Sequence, residues 1–345
     1  MIGTIRARVP LRLGLAGGGT DLSPYCDRFG GAVLNTTIDR YAYTFIAPSD
    51  DGCVRFCAPD LDITESFPLD LGALTPARLR LHAGVLRRMA RTYADGKLTP
   101  MIVTSYVEAP AGSGLGSSSA LVVALVEAFR EYYNAPLGPY DVAHLAYEIE
   151  RIDLALAGGK QDQYAATFGG INFIEFAGQD RVIVNPLRVN PAVMNELESS
   201  MVVCFTGVSR RSEEIIIEQQ RRMMLPADEA LDSLHQLKRD ALDMKDALLR
   251  GQIMRMAEIL DRSWQAKQRT AAGISTGLIQ RLYDVALAHG AIGGKVSGAG
   301  GGGFLMFIVP PDRRIQVIRA LNDAGGDAEG VRFVAAGAES WIVPA

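Results

Sequence analysis

Between Pro110 and Ala120 the chain reads Pro-Ala-Gly-Ser-Gly-Leu-Gly-Ser-Ser-Ser-Ala. Gly112, Gly114 and Gly116 leave a backbone that can bend sharply and approach a ligand with no Cβ in the way. Ser117, Ser118 and Ser119 follow at once, and Ala120–Phe129 then reads as a buried helix. Serines opening a helix are expected to cap its free N–H groups, and the helix dipole there favours an anion. The stretch Pro110, Gly112, Ser113, Gly114, Leu115, Gly116 and Ser117–Ser119 therefore suits a phosphate cradle, and a glycine-rich turn capping a core helix is the plainer alternative. Phosphoryl transfer would also need metal ligands, a cation for developing charge and a carboxylate near the attacking hydroxyl. Ser118 with Glu150 could supply the oxygen ligands that Mg²⁺ prefers, and Glu148 is a rival on spacing alone. Asp162 lies between Gly158-Gly159 and Gly169-Gly170, and is read as a loop carboxylate free to be aimed. Arg12 supplies a permanent charge beside a first glycine turn, Gly17–Gly19. Alone, each has a bland reading: Asp162 as a loop cap, Glu150 on a solvated helix face, Arg12 at a strand edge.

The elements that must position these groups follow from periodicity. Thr4–Ala16 alternates as a strand, with Pro10 marking an edge or bulge, and Ser23-Pro24 opens a short helix ending near Gly30. Ala32–Ile38, Tyr41–Ala47, Val54–Cys57, Ile63–Phe67 and Met101–Tyr106 read as strands, and Ala77–Tyr93 as a helix. Pro139–Leu156 reads as one helix with Glu148 and Glu150 off its apolar face. Ile171–Phe176 and Arg181–Asn185 suit a hairpin, and Met201–Phe205 a strand. Ser212–His289 is a helical block broken at Pro226, Gly251 and Gly273. A third glycine run, Gly298–Gly303, precedes a strand to Val309, a helix over Arg313–Ala324, and strands near Val331–Ala335 and Trp341–Val343. Domains over 1–195 and 196–345 are expected, with the break before the helical block.

Bulk properties narrow the classes. A net charge of −4, with no basic stripe, argues against a nucleic-acid binder and requires local cations for any anionic ligand. No apolar segment reaches membrane-spanning length, and the charged N-terminus does not read as a signal peptide. Cys26, Cys53, Cys57 and Cys204 lack zinc-site spacing and read as reduced thiols of a cytoplasmic protein. No Gly-Lys-Ser or Gly-Lys-Thr follows the glycines, and no dinucleotide fingerprint follows the first strand, so Walker and Rossmann readings fail.

Val9-Pro-Leu-Arg-Leu, the Pro110–Ala120 run and Lys295-Val-Ser-Gly-Ala-Gly-Gly-Gly-Gly resemble, in order, the three motifs of the GHMP kinases. The resemblance covers essentially the whole chain. It implies an α+β fold of two domains: an N-terminal domain like ribosomal protein S5 domain 2, and a ferredoxin-like C-terminal domain. ATP would lie between them with Mg²⁺ on Ser118 and Glu150. By the same resemblance Asp162 orients or deprotonates the acceptor hydroxyl and Arg12 pairs with it. Thr20-Asp21 resembles the Thr-Asp that meets sugar hydroxyls in galactokinase, with Gly18-Gly19 replacing the Glu-His found there. Gly18, Gly19, Gly300 and Gly301 are expected beside the substrate. The longer runs Pro10–Tyr25 and Gly30–Asp39 most resemble the heptose-phosphate kinases of that superfamily, and this resemblance implies phosphorylation of the anomeric hydroxyl of a heptose 7-phosphate. The small-molecule partners are thus ATP and a sugar phosphate, with a free sugar such as fucose, or a non-catalytic ligand sensor, as alternatives. A phosphorylated acceptor needs a second cationic site, for which Lys160, Arg210 and Arg211 are candidates, although the arginines could equally cap a helix from Ser212 and face solvent. A homodimer is compatible with the sequence and not specified by it.

Overall fold

A computed structural model describes residues 3–178, 181–208, 212–223 and 229–344 of the 345-residue chain. The first sheet opens with β1 (Thr4–Ala16), followed by α1 (Tyr25–Phe29) and the long β2 (Gly31–Pro48). Next come β3 (Val54–Ala58), β4 (Ile63–Phe67), α2 (Arg80–Tyr93) and β5 (Met101–Val107). The helices α3 (Ser117–Tyr132), α4 (Pro139–Glu148) and α5 (Gln161–Phe168) precede the hairpin of β6 (Ile171–Phe176) and β7 (Val182–Pro186). β1 pairs antiparallel with β2, with a register shift between Pro10 and Leu11 where proline's missing N–H breaks the ladder. The two strands expected over 32–38 and 41–47 are one element, whose first half pairs with β6 and second half with β5.

The second half continues as α6 (Pro191–Ser200), β8 (Met201–Phe205), α7 (Ser212–Met223), α8 (Glu229–Leu249), α9 (Ile253–Thr270) and α10 (Gly277–Ala288). Then follow β9 (Gly293–Val296), β10 (Phe304–Ile308), α11 (Arg314–Asp323), β11 (Asp327–Gly330) and β12 (Glu339–Val343). A second sheet runs β11-β8-β10-β9, with the third glycine run at the β9–β10 tip. The strand expected near Val331–Ala335 is absent; Phe333 makes a lone bridge to Ile38, and the sheet edge is β11 instead. β12 leaves this sheet and pairs with β1, so the C-terminus closes the first sheet.

α3 is apolar from Ala120 to Phe129 except for Glu127, which pairs with Arg130, and the stretch is buried apart from half-buried Leu121, as expected of a helix enclosed by its neighbours. It packs on β1 and β2, while α8 and α9 cover the other face of β1. Every residue of β1 from Val9 to Ala16 is therefore buried, Arg12 included. Burial on both faces ends the polar–apolar alternation of its first half. A charge placed there must face a cavity or a partner.

Candidate active site

Gly112, Gly114 and Gly116 all take positive φ (73°, 79° and 75°), a backbone region that side-chained residues rarely enter. A Cβ on Gly114 would sit 2.3 Å from the carbonyl oxygen of Ser297, so the loop and the third glycine run touch backbone to backbone. Gly116 is the N-cap of α3, and no side chain caps that end. This corrects the expected serine caps: the hydroxyls of Ser118 and Ser119 donate to Glu150 instead, leaving the first-turn N–H groups open to an anion. Gly112, Gly114, Gly116 and Ser117–Ser119 line one cavity of about 260 Å³. Pro110, Ser113 and Leu115 do not line it. The carbonyl of Ser113 accepts from Phe304 N–H and that of Leu115 from Arg12 N–H, so these residues anchor the loop.

Ser118 Oγ lies 2.8 Å from Glu150 Oε1, and Ser119 Oγ lies 2.7 Å from Oε2. Gln163 Nε2 donates to the same Oε2 at 2.7 Å. Glu150 is only 1% exposed, because α4 ends at Glu148 and a π-helical turn over Ile149–Asp153 rotates it inward. The single helix expected to Leu156, with Glu150 off its apolar face, is corrected by that turn. Glu148 points elsewhere and pairs with Arg88. Among the described residues no three His, Cys, Asp or Glu gather into a metal cage. One hydroxyl and one carboxylate in contact nevertheless suit Mg²⁺, which commonly takes few protein oxygens and completes its shell with phosphate and water.

Arg12 Nε donates to Asp162 Oδ1 at 2.8 Å, and its NH1 donates to the Gly114 carbonyl. Asp162 is not on a loop: it sits in the first turn of α5, and packs against Gly116, whose Cβ would lie 3.3 Å from the carboxyl carbon. A helix fixes the carboxylate more firmly than the expected loop would. Asp21 accepts from Gly19 N–H (3.0 Å) and from Gln161 N–H (3.2 Å), tying the first glycine turn to the start of α5. Gly159 has to be glycine there, since a Cβ would lie 1.9 Å from the Asp21 carboxylate. Gly18, Gly19, Asp21, Arg12 and Asp162 all line the cavity that holds Ser118 and Glu150.

Residues 80–170 match the GHMP kinases N terminal domain, and residues 244–327 the GHMP kinases C terminal domain. The D-glycero-alpha-D-manno-heptose 7-phosphate kinase of Campylobacter jejuni is 41% identical over 340 residues, 99% of each chain. The chain belongs to the GHMP kinases. A crystal structure of a D-glycero-D-manno-heptose 1-phosphate kinase from Bacteroides thetaiotaomicron superposes with a TM-score of 0.83 at 41% identity, covering 99% of this chain and 100% of that one. The L-fucokinase/L-fucose-1-P guanylyltransferase of Bacteroides fragilis is 25% identical, over 95% of this chain and 37% of the larger protein. The fold is thus the two-part GHMP kinase fold, and the chain is an ATP-dependent kinase.

Other expected substrate contacts lie elsewhere in this GHMP kinase. Lys160 is 3% exposed but turns from the cavity, its ammonium 5.4 Å from the Tyr147 ring centre and 3.9 Å from Asp27. Thr20 is wholly buried, its hydroxyl donating to the Gly17 and Ala32 carbonyls, so it braces the turn. Gly300 and Gly301 pack on Ile274 and not on the cavity. Arg210 and Arg211 lie outside the described residues. What the sequence reading passed over is Lys267 on α9 and Lys295 on β9, both buried and both lining the cavity. Lys267 Nζ donates to the Gly18 carbonyl (3.2 Å) and Lys295 Nζ to the Gly14 carbonyl (3.0 Å). Burial lowers the Lys267 pKa to about 8. Burial, with the neighbouring charges of Lys267 and Arg12, lowers that of Lys295 to about 7. Lys295 opens the third motif, a signal that was available; Lys267 lies in an amphipathic helix and gave none.

Proposed function

We propose that the chain transfers the γ-phosphoryl group of ATP to the anomeric hydroxyl of D-glycero-D-manno-heptose 7-phosphate, giving the 1,7-bisphosphate. The observation that carries the reading is the Arg12–Asp162 pair facing the same cavity as the open end of α3 and the Ser118–Glu150 pair. The choice of sugar is supported by the name of the full-length Campylobacter relative. In this reading residues 1–195 hold the nucleotide phosphates, and residues 196–345 complete the cavity. The α3 N–H groups and the Gly112–Gly116 backbone receive the triphosphate. Mg²⁺, held by Ser118 and Glu150, would offset charge on the phosphates when bound.

Asp162 orients the anomeric hydroxyl and takes its proton as the sugar oxygen bonds to the γ-phosphorus and the β–γ bridge bond breaks, releasing ADP. An anomeric hydroxyl is more acidic than an ordinary alcohol, so no strongly basic carboxylate is required. Arg12 keeps Asp162 aimed and stabilises the charge that develops on the transferred group. Asp21 faces the sugar hydroxyls from the first glycine turn. Every residue invoked lies on one chain, so a homodimer would leave this site as described. We assign the reaction to the cytoplasm, where ATP is supplied.

A free-sugar kinase is the second reading, favoured by the 25% identity to the fucokinase. An ADP-release assay over heptose 7-phosphate, heptose 1-phosphate, mannose 6-phosphate, fucose and galactose separates the two, with phosphorus NMR locating the new phosphate. Heptose 7-phosphate is expected to have the highest kcat/KM and to gain an anomeric phosphate. Turnover of heptose 1-phosphate, or of fucose alone, overturns the assignment.

A further inference from the structure

Charge in the cavity is unevenly accounted for. Glu150 is occupied by Ser118, Ser119, Gln163 and the guanidinium of Arg151, Asp162 by Arg12, and Asp21 by two backbone N–H groups and the Gln161 amide. The remaining carboxylate on the lining, Glu213, is exposed to solvent. Lys267 and Lys295 are 5% and 6% exposed, and among the described residues neither forms an ion pair. Each has one backbone carbonyl as its only hydrogen-bond partner there, so two ammonium donors on each are left over. Two buried lysines on one cavity, neither bonded to a carboxylate, are costly to hold as ammonium groups unless an anion joins them.

Their position says which anion. The triphosphate has its own donors at Gly112–Ser119, where α3 begins. The lysines instead hold the carbonyls of Gly14, near the end of β1, and of Gly18, on the turn that follows it and carries Asp21, whose charge acts on Lys267. They therefore stand on the acceptor side of the cavity. We propose that Lys267 and Lys295 form the seat for a phosphate monoester already present on the acceptor, and so set the preference for a phosphorylated sugar over a free one. The inference rests on the sugar-phosphate kinase reading above and adds the residues that select the phosphate. A compact ammonium pair suits this task, because each lysine can turn its spare donors onto separate phosphate oxygens.

The test compares the wild type with Lys267→Met, Lys295→Met and the double variant, in each of which a flexible apolar chain fills the lysine's space. ADP release is measured with heptose 7-phosphate and with the same heptose lacking the phosphate, AMP-PNP affinity by calorimetry, and thermal stabilisation by inorganic phosphate on protein loaded with Mg²⁺ and AMP-PNP. Each single variant is expected to lower the ratio of kcat/KM for phosphorylated over free heptose by about 10- to 100-fold. AMP-PNP affinity should stay within about threefold of wild type, a change too small for a lost charged contact. Stabilisation by inorganic phosphate should vanish in the double variant, and Lys267→Arg, which keeps the charge, should retain most of the ratio. Weakened AMP-PNP binding with an unchanged sugar ratio would assign the lysines to the nucleotide. Equal losses for both sugars would make them props of the glycine turn. Either result overturns the proposal. If the wild type fails to use heptose 7-phosphate, the functional reading falls, and the inorganic-phosphate shift still decides the lysine pair.

Discussion

At the scale of single residues, Glu150 shows how a carboxylate can be buried and remain useful. Two hydroxyls and one amide reach its oxygens within 2.8 Å, which offsets the cost of removing it from water. Ser118 keeps its oxygen on the cavity, so the pair presents hard oxygen donors to a cation without a dedicated cage. Glu150→Gln retains the shape and removes the charge. The Mg²⁺ concentration giving half-maximal ADP release should then rise about 10-fold or more, with metal-free AMP-PNP binding little altered. A superimposable Mg²⁺ titration would reduce Glu150 to a partner of the serines. Arg12, Ser118 and Asp162 were legible in the sequence because each sits in or beside a short glycine-bounded run, whereas Glu150 was separated from its rival Glu148 only by the family resemblance. Lys267 was not, since a lysine on an amphipathic helix has the pattern of a solvated one until the helix is docked. Lys160 misled for the converse reason: it is the N-cap before the helix that carries Asp162, and its side chain turns to Tyr147 and Asp27 while Asp162 faces the cavity.

At the scale of elements, the cradle depends on what holds α3 in place. α2 packs along it and carries His82, whose Nε2 lies 2.8 Å from Ser105 Oγ on β5. Its Nδ1 is buried without a partner, and burial lowers the His82 pKa from 6.5 to about 4. The imidazole therefore stays neutral in the folded protein while the unfolded chain takes up a proton below pH 6.5. Stability is fully present above pH 6.5 and is lost progressively as pH falls toward 4. This group alone should cost on the order of 2 kcal/mol between pH 7 and pH 5. Urea unfolding at the two pH values should show that loss, and His82→Gln should lose less on acidification; an equal loss in the variant would remove His82 as the cause. The helix at Asp162 and the π turn at Glu150 both escaped the sequence reading. In the first, flanking glycine pairs masked only eight helical residues, Gln161–Phe168. In the second, a one-residue bulge leaves no mark on apolar periodicity.

At the scale of the whole molecule, the cavity is built from both ends of the chain. β1, the Gly112–Gly116 loop, α3 and α5 supply the cradle and the Arg12–Asp162 pair, while α9, β9 and the third glycine run supply the lysines and the opposing wall. Close backbone approach of Gly114 to Ser297 and Gly298 joins the two halves, and β12 returns to pair with β1. The three glycine segments announced this convergence in the sequence, because each was too flexible to be explained by its own element. The pairing of the C-terminal strand with the first was not announced, since nothing local records which sheet a distant strand will join. The central claim is that phosphoryl transfer in this cavity passes through Asp162. The most direct measurement is the single-turnover rate of Asp162→Asn with saturating ATP, Mg²⁺ and heptose 7-phosphate, alongside AMP-PNP affinity. Asparagine still accepts from Arg12, so the account predicts a rate lower by about 10²- to 10⁴-fold with nucleotide affinity essentially kept; a variant that turns over at the wild-type rate would contradict it.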